Sequence, residues 1–358
     1  MSAEALIPEW RERVRTAQAK GAPLRIRGGG TKDFYGERLE GEIFDVSAHA
    51  GIIDYDPTEL VITARGGTTL SEIETALADA DQFLGFEPPH FGPGATLGGC
   101  IATGLSGPRR PYAGAVRDFV LGVRVLDGKG DDLRFGGRVM KNVAGFDVSR
   151  LMTGALGTLG VLLEVSLKCL PRPKSESTLV FVLSAPESVR KVNEWAGQPL
   201  PLSASAWHED RLYVRLSGAE AAVNAAKQKL GGDTLAVADA QAWWTNLREQ
   251  RMAFYSTASQ LWRLSVKSTA PYMDLGTFQM IEWGGAIRWL NSASVLDAVT
   301  LREWSQRNGG HATLFRSASR HAGVFHPLTA PVLAIHQRLK STFDPSGILN
   351  RGRMFADF

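Results

Sequence analysis

The segment Arg27-Gly28-Gly29-Gly30-Thr31-Lys32-Asp33, here the first glycine loop, decides the fold of this chain. A second loop, Gly92-Pro93-Gly94-Ala95-Thr96-Leu97-Gly98-Gly99-Cys100-Ile101-Ala102-Thr103-Gly104, and a third, Gly154-Ala155-Leu156-Gly157-Thr158-Leu159-Gly160, follow it. Glycine lets the main chain approach a bulky anion and adopt positive φ, so that backbone N–H groups can face a ligand. Three such loops predict a long cofactor held along its length by backbone, which indicates a dinucleotide.

The first glycine loop fits neither common nucleotide-binding fingerprint. The Walker A pattern is absent around Lys32, and a Rossmann loop should open a helix and be followed by an acidic residue at the next strand end. A plain turn between strands is the alternative for the first loop. Tight packing of a helix against a sheet, through small residues such as Gly98 and Ala102, is the alternative for the second.

Composition places the chain among globular proteins of more than one domain. It has 358 residues, of which 44% are hydrophobic, and its net charge of +3 is too balanced to indicate a nucleic-acid partner. Its two cysteines predict a reducing compartment and no disulfide framework. The charged N-terminus lacks the apolar core of a secretory signal, and no window is long and apolar enough for a membrane span. We therefore expect a cytoplasmic protein.

The pattern of strands and helices changes at Pro171-Arg172-Pro173, which we take as the main domain boundary. Before it, short strands surround the first glycine loop, and Thr69-Leu70-Ser71-Glu72 fits a capping box. After it, the hairpin around Asp210, a second capping box at Ser217 and a helix from Gln241 to Phe254 predict an antiparallel sheet with helices on one side. The predicted fold class is α+β.

The order of the motifs resembles the FAD-binding domain of PCMH-type flavoproteins, the vanillyl-alcohol oxidase family. After the first glycine loop come Gly94-Ala95-Thr96-Leu97-Gly98-Gly99, Gly107, Gly114, Asp127-Gly128, Lys141, Gly145-Phe146-Asp147, the third loop and Leu170-Pro171-Arg172-Pro173. Asp344-Pro345-Ser346-Gly347-Ile348-Leu349-Asn350, with Gly352, is similar to the C-terminal return segment of FAD-linked oxidases. With its short middle part and the segment 309–316, the whole chain resembles the family of FAD-binding E subunits of bacterial glycolate oxidase (glycolate dehydrogenase).

This resemblance implies a domain layout and a set of cofactor-binding residues. The layout is a two-subdomain FAD-binding domain at 1–173, a smaller cap domain for substrate or partner contact at 174–330, and a return segment at 331–358 that packs toward the flavin domain. The cofactor is FAD, and the residues implied to bind it are Arg27, Gly28, Gly29, Gly30, Thr31, Lys32, Asp33, Gly94, Thr96, Leu97, Gly98, Gly99, Thr103, Gly104, Ser106, Gly157, Thr158, Gly160, Val161 and Asn350.

Several departures from the family pattern bear on chemistry. Relatives with covalent flavin carry a histidine in or just after the first loop, where this chain has Thr31 to Tyr35, so non-covalent FAD is expected. Cys100 is best explained as a small packed residue. Larger relatives that oxidise 2-hydroxy acids have Gly-Ser-Glu in the third loop and a His-Gly-Asp-Gly-Asn-x-His motif, and this sequence has neither.

The catalytic residues stay unassigned at this point. His311, His321 and His326 lie at spacings that match no standard metal-binding pattern, so no metal site is predicted. His90 precedes the second loop and could approach a flavin, although an ordinary histidine in a turn explains it better. The candidate anion anchors are Arg109, Arg110 and Arg351.

The function implied by the resemblance is that of a FAD-binding subunit in a complex that oxidises glycolate to glyoxylate. Flavin would accept the hydride, and electrons would pass to a partner. The implied partners are a larger FAD subunit and an iron–sulfur subunit, since two cysteines cannot ligate a cluster that needs four thiolates. Contact with the inner membrane would then occur through partners. The alternatives are a self-sufficient flavoenzyme, such as a reductase of the UDP-N-acetylenolpyruvoylglucosamine type, and a non-catalytic assembly subunit.

Overall fold

The structure is a computed structural model that describes residues 3–137, 147–256, 259–275 and 278–356. The motif residues Lys141, Gly145 and Phe146 lie outside the described residues. Two compact units make up the chain. The first contains Met1–Leu105, Ala115–Pro171 and Pro327–Phe358, and the second contains Ser106–Gly114 and Arg172–His326.

Helices and strands are interspersed along the chain. The α-helices are α1 (Leu6–Lys20), α2 (Leu70–Ala78), α3 (Leu97–Thr103), α4 (Arg110–Ala113), α5 (Val148–Leu151), α6 (Ala185–Ala196), α7 (Glu220–Leu230), α8 (Val237–Arg248), α9 (Ala253–Ser256), α10 (Ala298–Arg307) and α11 (Ala330–Phe343). The strands are β1 (Leu24–Arg27), β2 (Glu42–Asp45), β3 (Ile52–Asp56), β4 (Val61–Arg65), β5 (Gln82–Phe83), β6 (Val120–Leu126), β7 (Asp132–Gly136), β8 (Val161–Lys168), β9 (Leu170–Pro171), β10 (Ser175–Val182), β11 (Leu202–His208), β12 (Arg211–Gly218), β13 (Asp233–Thr234), β14 (Gln260–Ser265), β15 (Phe278–Glu282), β16 (Ile287–Ser292) and β17 (His311–Ser317).

The first unit contains a parallel pair of strands, β1 and β2, and an antiparallel sheet in the order β3-β4-β8-β6-β7. Helix α1 is amphipathic, so its apolar side, including Trp10 and Val14, is buried in the core. The same core takes in Leu24 of β1 and Ile348 and Leu349 of the return segment. Leu24 and Leu349 also form a parallel bridge, which brings the return segment to the strand that leads into the first glycine loop.

A buried ion pair fixes the return segment inside the first unit. Lys340 of α11 donates hydrogen bonds to Asp344 Oδ2 at 2.7 Å and to the carbonyl oxygens of Thr158 and Leu349 at 2.8 and 2.9 Å. Asp344 in turn accepts from the N–H groups of Ile348 and Leu349. The pair therefore connects α11, the return segment and the third glycine loop in one network.

The second unit is an eight-stranded sheet in the order β13-β10-β12-β11-β15-β16-β14-β17, antiparallel throughout its described pairings. Helices α6, α7 and α10 cover one face, where two apolar clusters lie. Because side chains alternate along a strand, the neighbours of those apolar residues point to the opposite face, among them Arg263, Glu282 and Trp289. The α+β fold class is confirmed.

Local expectations differ from the structure at a few places. Thr69 caps α2 as predicted, because its side chain accepts from the N–H of Glu72. Ser217, by contrast, belongs to β12 and is no cap, since α7 begins three residues later at Glu220. The helix predicted over Gln241 to Phe254 divides into α8 and α9, with Gln250 at positive φ between them.

Candidate functional site

The first unit contains an open cavity of about 740 Å³, solvent at its mouth included, that the three glycine loops line together. Fourteen of the predicted cofactor-binding residues line it: Arg27, Gly28, Gly29, Gly30, Thr31, Lys32, Asp33, Thr96, Gly98, Gly99, Thr103, Gly157, Gly160 and Asn350. Segments far apart in sequence thus meet at one site, as a long ligand held by several loops requires.

The first glycine loop presents a row of backbone donors to this cavity. Among the described residues, no acceptor takes the N–H groups of Gly28, Gly29, Gly30 or Thr31. Gly30 has φ of +70°, a conformation that turns the backbone sharply and that glycine adopts without strain. Four successive N–H groups at a cavity wall, with a left-handed glycine among them, are suited to binding an anion.

Glycine is required here for close packing as well as for φ. A Cβ atom on Gly29 would overlap the carbonyl oxygen of Gly94, and one on Gly28 would lie 2.5 Å from Thr96 Oγ1. The first and second loops therefore touch through backbone at Gly29 and Gly94, and a side chain at position 29 would push them apart.

Positive charge concentrates beside the row of donors. Lys32 is buried, and its Nζ donates to the carbonyl oxygen of His90 at 3.2 Å. Arg353, also buried, donates to the carbonyl oxygen of Lys32 at 3.0 Å. Asp33 forms ion pairs with Arg25 and Arg27 at 2.6 and 2.9 Å. The cavity thus has more cationic than anionic side chains at its wall, which favours a negatively charged ligand.

The second glycine loop contributes contact surface to the cavity and few free backbone N–H donors. Thr96 is the N-cap of α3 and accepts from the N–H of Gly99 at 3.3 Å. The N–H of Leu97 bonds to the carbonyl of Thr68, and that of Gly98 bonds to Gly66. These donors are engaged within the protein, and the hydroxyl of Thr103 likewise donates to the carbonyl of Gly99 at 2.8 Å, so this side of the cavity offers mainly Cα atoms.

Six predicted residues do not line the cavity. Leu97 and Val161 are buried in the core, and Thr158 is buried with its hydroxyl bonded to the carbonyl of Ala155. Gly94 packs beneath Gly29, and Gly104 ends α3 in the left-handed region. Ser106 belongs to the second unit. The lining residues absent from the sequence prediction are Ile26, Val46, Ala102, Leu156, Leu162 and Arg353.

Asn350 holds two sides of the cavity together. Its Oδ1 accepts from the N–H of Ile26 at 2.7 Å, and its Nδ2 donates to the carbonyl of Leu156 at 2.6 Å. One donor and one acceptor site of its amide group therefore join β1 to the third glycine loop. We infer that it positions the loops around a ligand.

The other sequence candidates lie elsewhere. Arg109 pairs with Glu176 at 2.7 Å in the second unit, and Arg351 donates to the carbonyl oxygens of Gly347 and Gly21. His90 contacts Glu74 at 3.1 Å. Burial raises the pKa of the Cys100 thiol to about 12, which keeps it protonated and unreactive. Among the described residues, no three His, Cys, Asp or Glu side chains form a group that could hold a metal ion.

The second unit contains a buried carboxyl group that the sequence did not single out. Glu282 accepts from Trp289 Nε1 at 2.6 Å, and burial raises its pKa from 4.5 to about 7 despite that bond and the nearby Arg263. Only the fold reveals this group, since its burial depends on neighbouring strands and on α9.

The raised pKa of Glu282 predicts a pH-dependent stability. Since the folded pKa lies above the unfolded one, the folded chain binds more protons between pH 4.5 and 7, so this carboxyl lowers stability as pH rises through that range. The wild type should therefore lose stability between pH 4 and pH 8 that Glu282→Gln keeps. We expect the difference in free energy of unfolding, variant minus wild type, to rise by about 3 kcal/mol between these pH values. Urea unfolding at both pH values measures it, with the exposed Glu194→Gln as control. Parallel pH profiles for wild type and Glu282→Gln would contradict it.

Comparison with known proteins identifies a matching family and two similar proteins. A family model described as FAD binding domain matches residues 7–136. The glycolate oxidase subunit GlcE of Escherichia coli (strain K12) is 49% identical over 97% of this chain and 96% of its own length. The glycolate oxidase subunit GlcD of Bacillus subtilis (strain 168) is 32% identical over 44% of this chain and 34% of its own length.

A solved structure is similar in fold. Alkyldihydroxyacetonephosphate synthase matches with a TM-score of 0.63 and 15% identity, over 96% of this chain and 75% of its own length.

Within the part of the chain that the structure describes, no helix is long and apolar enough to cross a membrane.

Proposed function

The chain belongs to the family of glycolate oxidase subunits that includes GlcE, and from this premise we propose that it binds FAD without a covalent bond and acts as the FAD-binding subunit of a glycolate oxidase complex. The observation that carries the proposal is the row of four backbone N–H groups at Gly28 to Thr31, beside Lys32 and Arg353. A diphosphate is the anionic part of FAD, and it matches this row in chemistry and charge.

The residues of the cavity have separable roles toward FAD. The first glycine loop holds the diphosphate through backbone donors, and Lys32 adds charge that strengthens those hydrogen bonds. Gly157 and Gly160 provide a surface without side chains, and Asn350 holds the third loop against β1. When bound, FAD supplies the hydride acceptor that oxidation of a 2-hydroxy acid needs.

The electrons are proposed to leave through partner subunits. The two cysteines, Cys100 and Cys169, are both buried, and burial raises the pKa of each to about 12. They are too few and too inert to ligate an iron–sulfur cluster. We therefore place any cluster in another subunit and assign substrate oxidation to a complex that also contains a larger, GlcD-like FAD subunit.

Anaerobic mixing with substrate tests this assignment. The isolated chain, loaded with FAD, is expected to keep its oxidised flavin spectrum when glycolate or D-lactate is added, whereas the complex purified from the native host should lose it. Bleaching of the isolated chain at the rate of the complex would identify a self-sufficient flavoenzyme instead. A complex that oxidises glycolate equally well with a flavin-free form of this chain would identify an assembly subunit.

Non-covalent binding gives a second expected result. Among the described residues that line the cavity, none is a histidine, cysteine or tyrosine that could form a bond to the flavin. Acid precipitation of the yellow chain should therefore leave a colourless pellet and release all flavin into the supernatant. Yellow colour that stays with the precipitated and washed chain would contradict this.

A further inference from the structure

The second unit contains an open cavity of about 620 Å³, solvent at its mouth included, at one edge of its sheet. The first residues of β10 form its floor, and parts of α7 and α8 form its walls. We call this cavity the strand slot and define it by residues 175–178 of β10, Asn224 and Lys227 of α7, and Val237 and Gln241 of α8.

The floor of the strand slot is open because β13 stops before β10 does. Strand β10 has eight residues, and β12 pairs with it along its whole length on one side. On the other side, β13 pairs with it at Leu179 and Val180. Among the described strands, none pairs with residues 175–177 on that second side. An open edge of this kind is ready to pair with another extended chain.

The backbone of β10 directs its polar groups into the strand slot. The N–H of Leu235 donates to the carbonyl of Thr178 at 2.9 Å, so Thr178 faces the side of β13. Every second residue of an antiparallel strand faces the same side, so the backbone N–H and carbonyl of Glu176 do so too. The side chain of Glu176 is held by Arg109 and by the hydroxyl of Ser217, each at 2.7 Å. The floor is therefore fixed in place.

The two walls of the strand slot stand on opposite faces of the sheet. Leu179 packs in one apolar cluster with Val223 and Ala226 of α7. Thr178, the residue before it, accepts a hydrogen bond from Trp244 of α8 at 2.9 Å. Adjacent side chains of a strand point to opposite faces, so α7 and α8 lie on opposite faces beside the same edge. The space between two such helices, at an open edge, has the shape of one added strand.

The side chains on the walls indicate what an added strand would carry. Lys227 is half-buried, and within the described part of the chain its ammonium forms no ion pair. Val237 is 68% exposed at the start of α8. An occupant with a carboxylate near Lys227 and an apolar side chain over Val237 would gain a charge-assisted hydrogen bond and buried apolar area.

We propose that the strand slot takes up an extended segment of the larger, GlcD-like FAD subunit, which adds a strand beside β10 and places an acidic side chain at Lys227. In this mode of recognition, main-chain hydrogen bonds give affinity and the side chains at the walls give specificity. The identity of the partner rests on the proposed function, whereas the slot itself rests on the second unit alone.

Hydrogen exchange tests the added strand directly. The FAD-loaded full chain is compared alone and in complex with the larger FAD subunit, with exchange resolved to single amides by mass spectrometry. The amides of Glu176 and Thr178 should exchange at least tenfold more slowly in the complex, because they gain main-chain acceptors. The amides of Ser175 and Ser177, whose backbone faces β12, should change little.

Two substitutions with matched controls test the walls, with the larger FAD subunit as probe in biolayer interferometry. Lys227→Glu should weaken its binding about tenfold, whereas Lys229→Glu, an exposed position in the same last turn of α7, should match the wild type. Asn224→Trp would fill the slot and should also weaken binding at least tenfold. Ala222→Trp, exposed on α7 and outside the slot, should not.

Unchanged exchange at Glu176 and Thr178 in a complex that forms would overturn the inference, and so would wild-type binding by both Lys227→Glu and Asn224→Trp. Protection that rises with the concentration of the isolated chain would identify a second copy as the occupant instead. Circular dichroism and the flavin spectrum show that each variant is folded and loaded. A yellow chain whose complex leaves these amides unprotected would refute the slot and keep the proposed function, whereas a yellow chain that forms no complex would refute the proposed function as well.

Discussion

Replacing Gly29 by alanine should leave the purified chain without flavin. The added Cβ would overlap the carbonyl oxygen of Gly94, which is backbone and cannot rotate away. The first and second glycine loops must then separate, which displaces the N–H groups of Gly28 to Thr31 from the cavity wall that is proposed to hold the diphosphate. We expect FAD affinity to fall at least 100-fold, because several charge-assisted hydrogen bonds weaken together. Flavin absorbance per chain after gel filtration measures this.

Gly137→Ala is the matched control for that loss. A Cβ at position 137 meets no atom within 4 Å, and the residue lies outside the cavity. This variant should keep the flavin content of the wild type. If Gly29→Ala were folded and still carried one FAD per chain, the first loop could not be the diphosphate site.

Replacing Asp344 by asparagine should give the largest loss of stability. The substitution leaves the ammonium of Lys340 buried without its counter-charge and removes one acceptor from Ile348 or Leu349. Burial already lowers the pKa of Lys340, so this position disfavours an unpaired charge. Breaking a buried pair in this way costs about 3–5 kcal/mol. Urea unfolding at neutral pH, followed by tryptophan fluorescence, measures the difference.

Two further variants separate charge burial from packing. The double variant Lys340→Met with Asp344→Asn should recover part of the loss, because no buried charge remains unpaired. Glu194→Gln removes one partner of the exposed pair with Arg190 and should change stability by less than about 1 kcal/mol. A single variant Asp344→Asn as stable as the wild type would show that the ion pair does not hold the return segment.

The sequence was sufficient to predict the glycine loops, because their geometry follows from local chemistry. Gly30 at positive φ and Gly29 in backbone contact with Gly94 are positions that only glycine fills, and glycine is visible in the sequence. Asn350 was also identified, although its bonds to Ile26 and Leu156 show a structural role that pattern alone does not reveal.

The rest depended on contacts between distant parts of the chain. Arg353 reaches the carbonyl of Lys32 across 321 positions, and the burial of Glu282 arises from strands and a helix that no local pattern brings together. Ser217 is a residue type that often caps helices, but pairing of β12 with β10 extends the strand through it. Tertiary pairing there outweighs local propensity.

The measurement that tests the account most directly is the ratio of FAD to polypeptide in the purified, folded chain, read from its visible spectrum before and after incubation with excess FAD. The account predicts a yellow protein that holds one FAD per chain through gel filtration. A folded chain that is colourless and takes up no added FAD would contradict it.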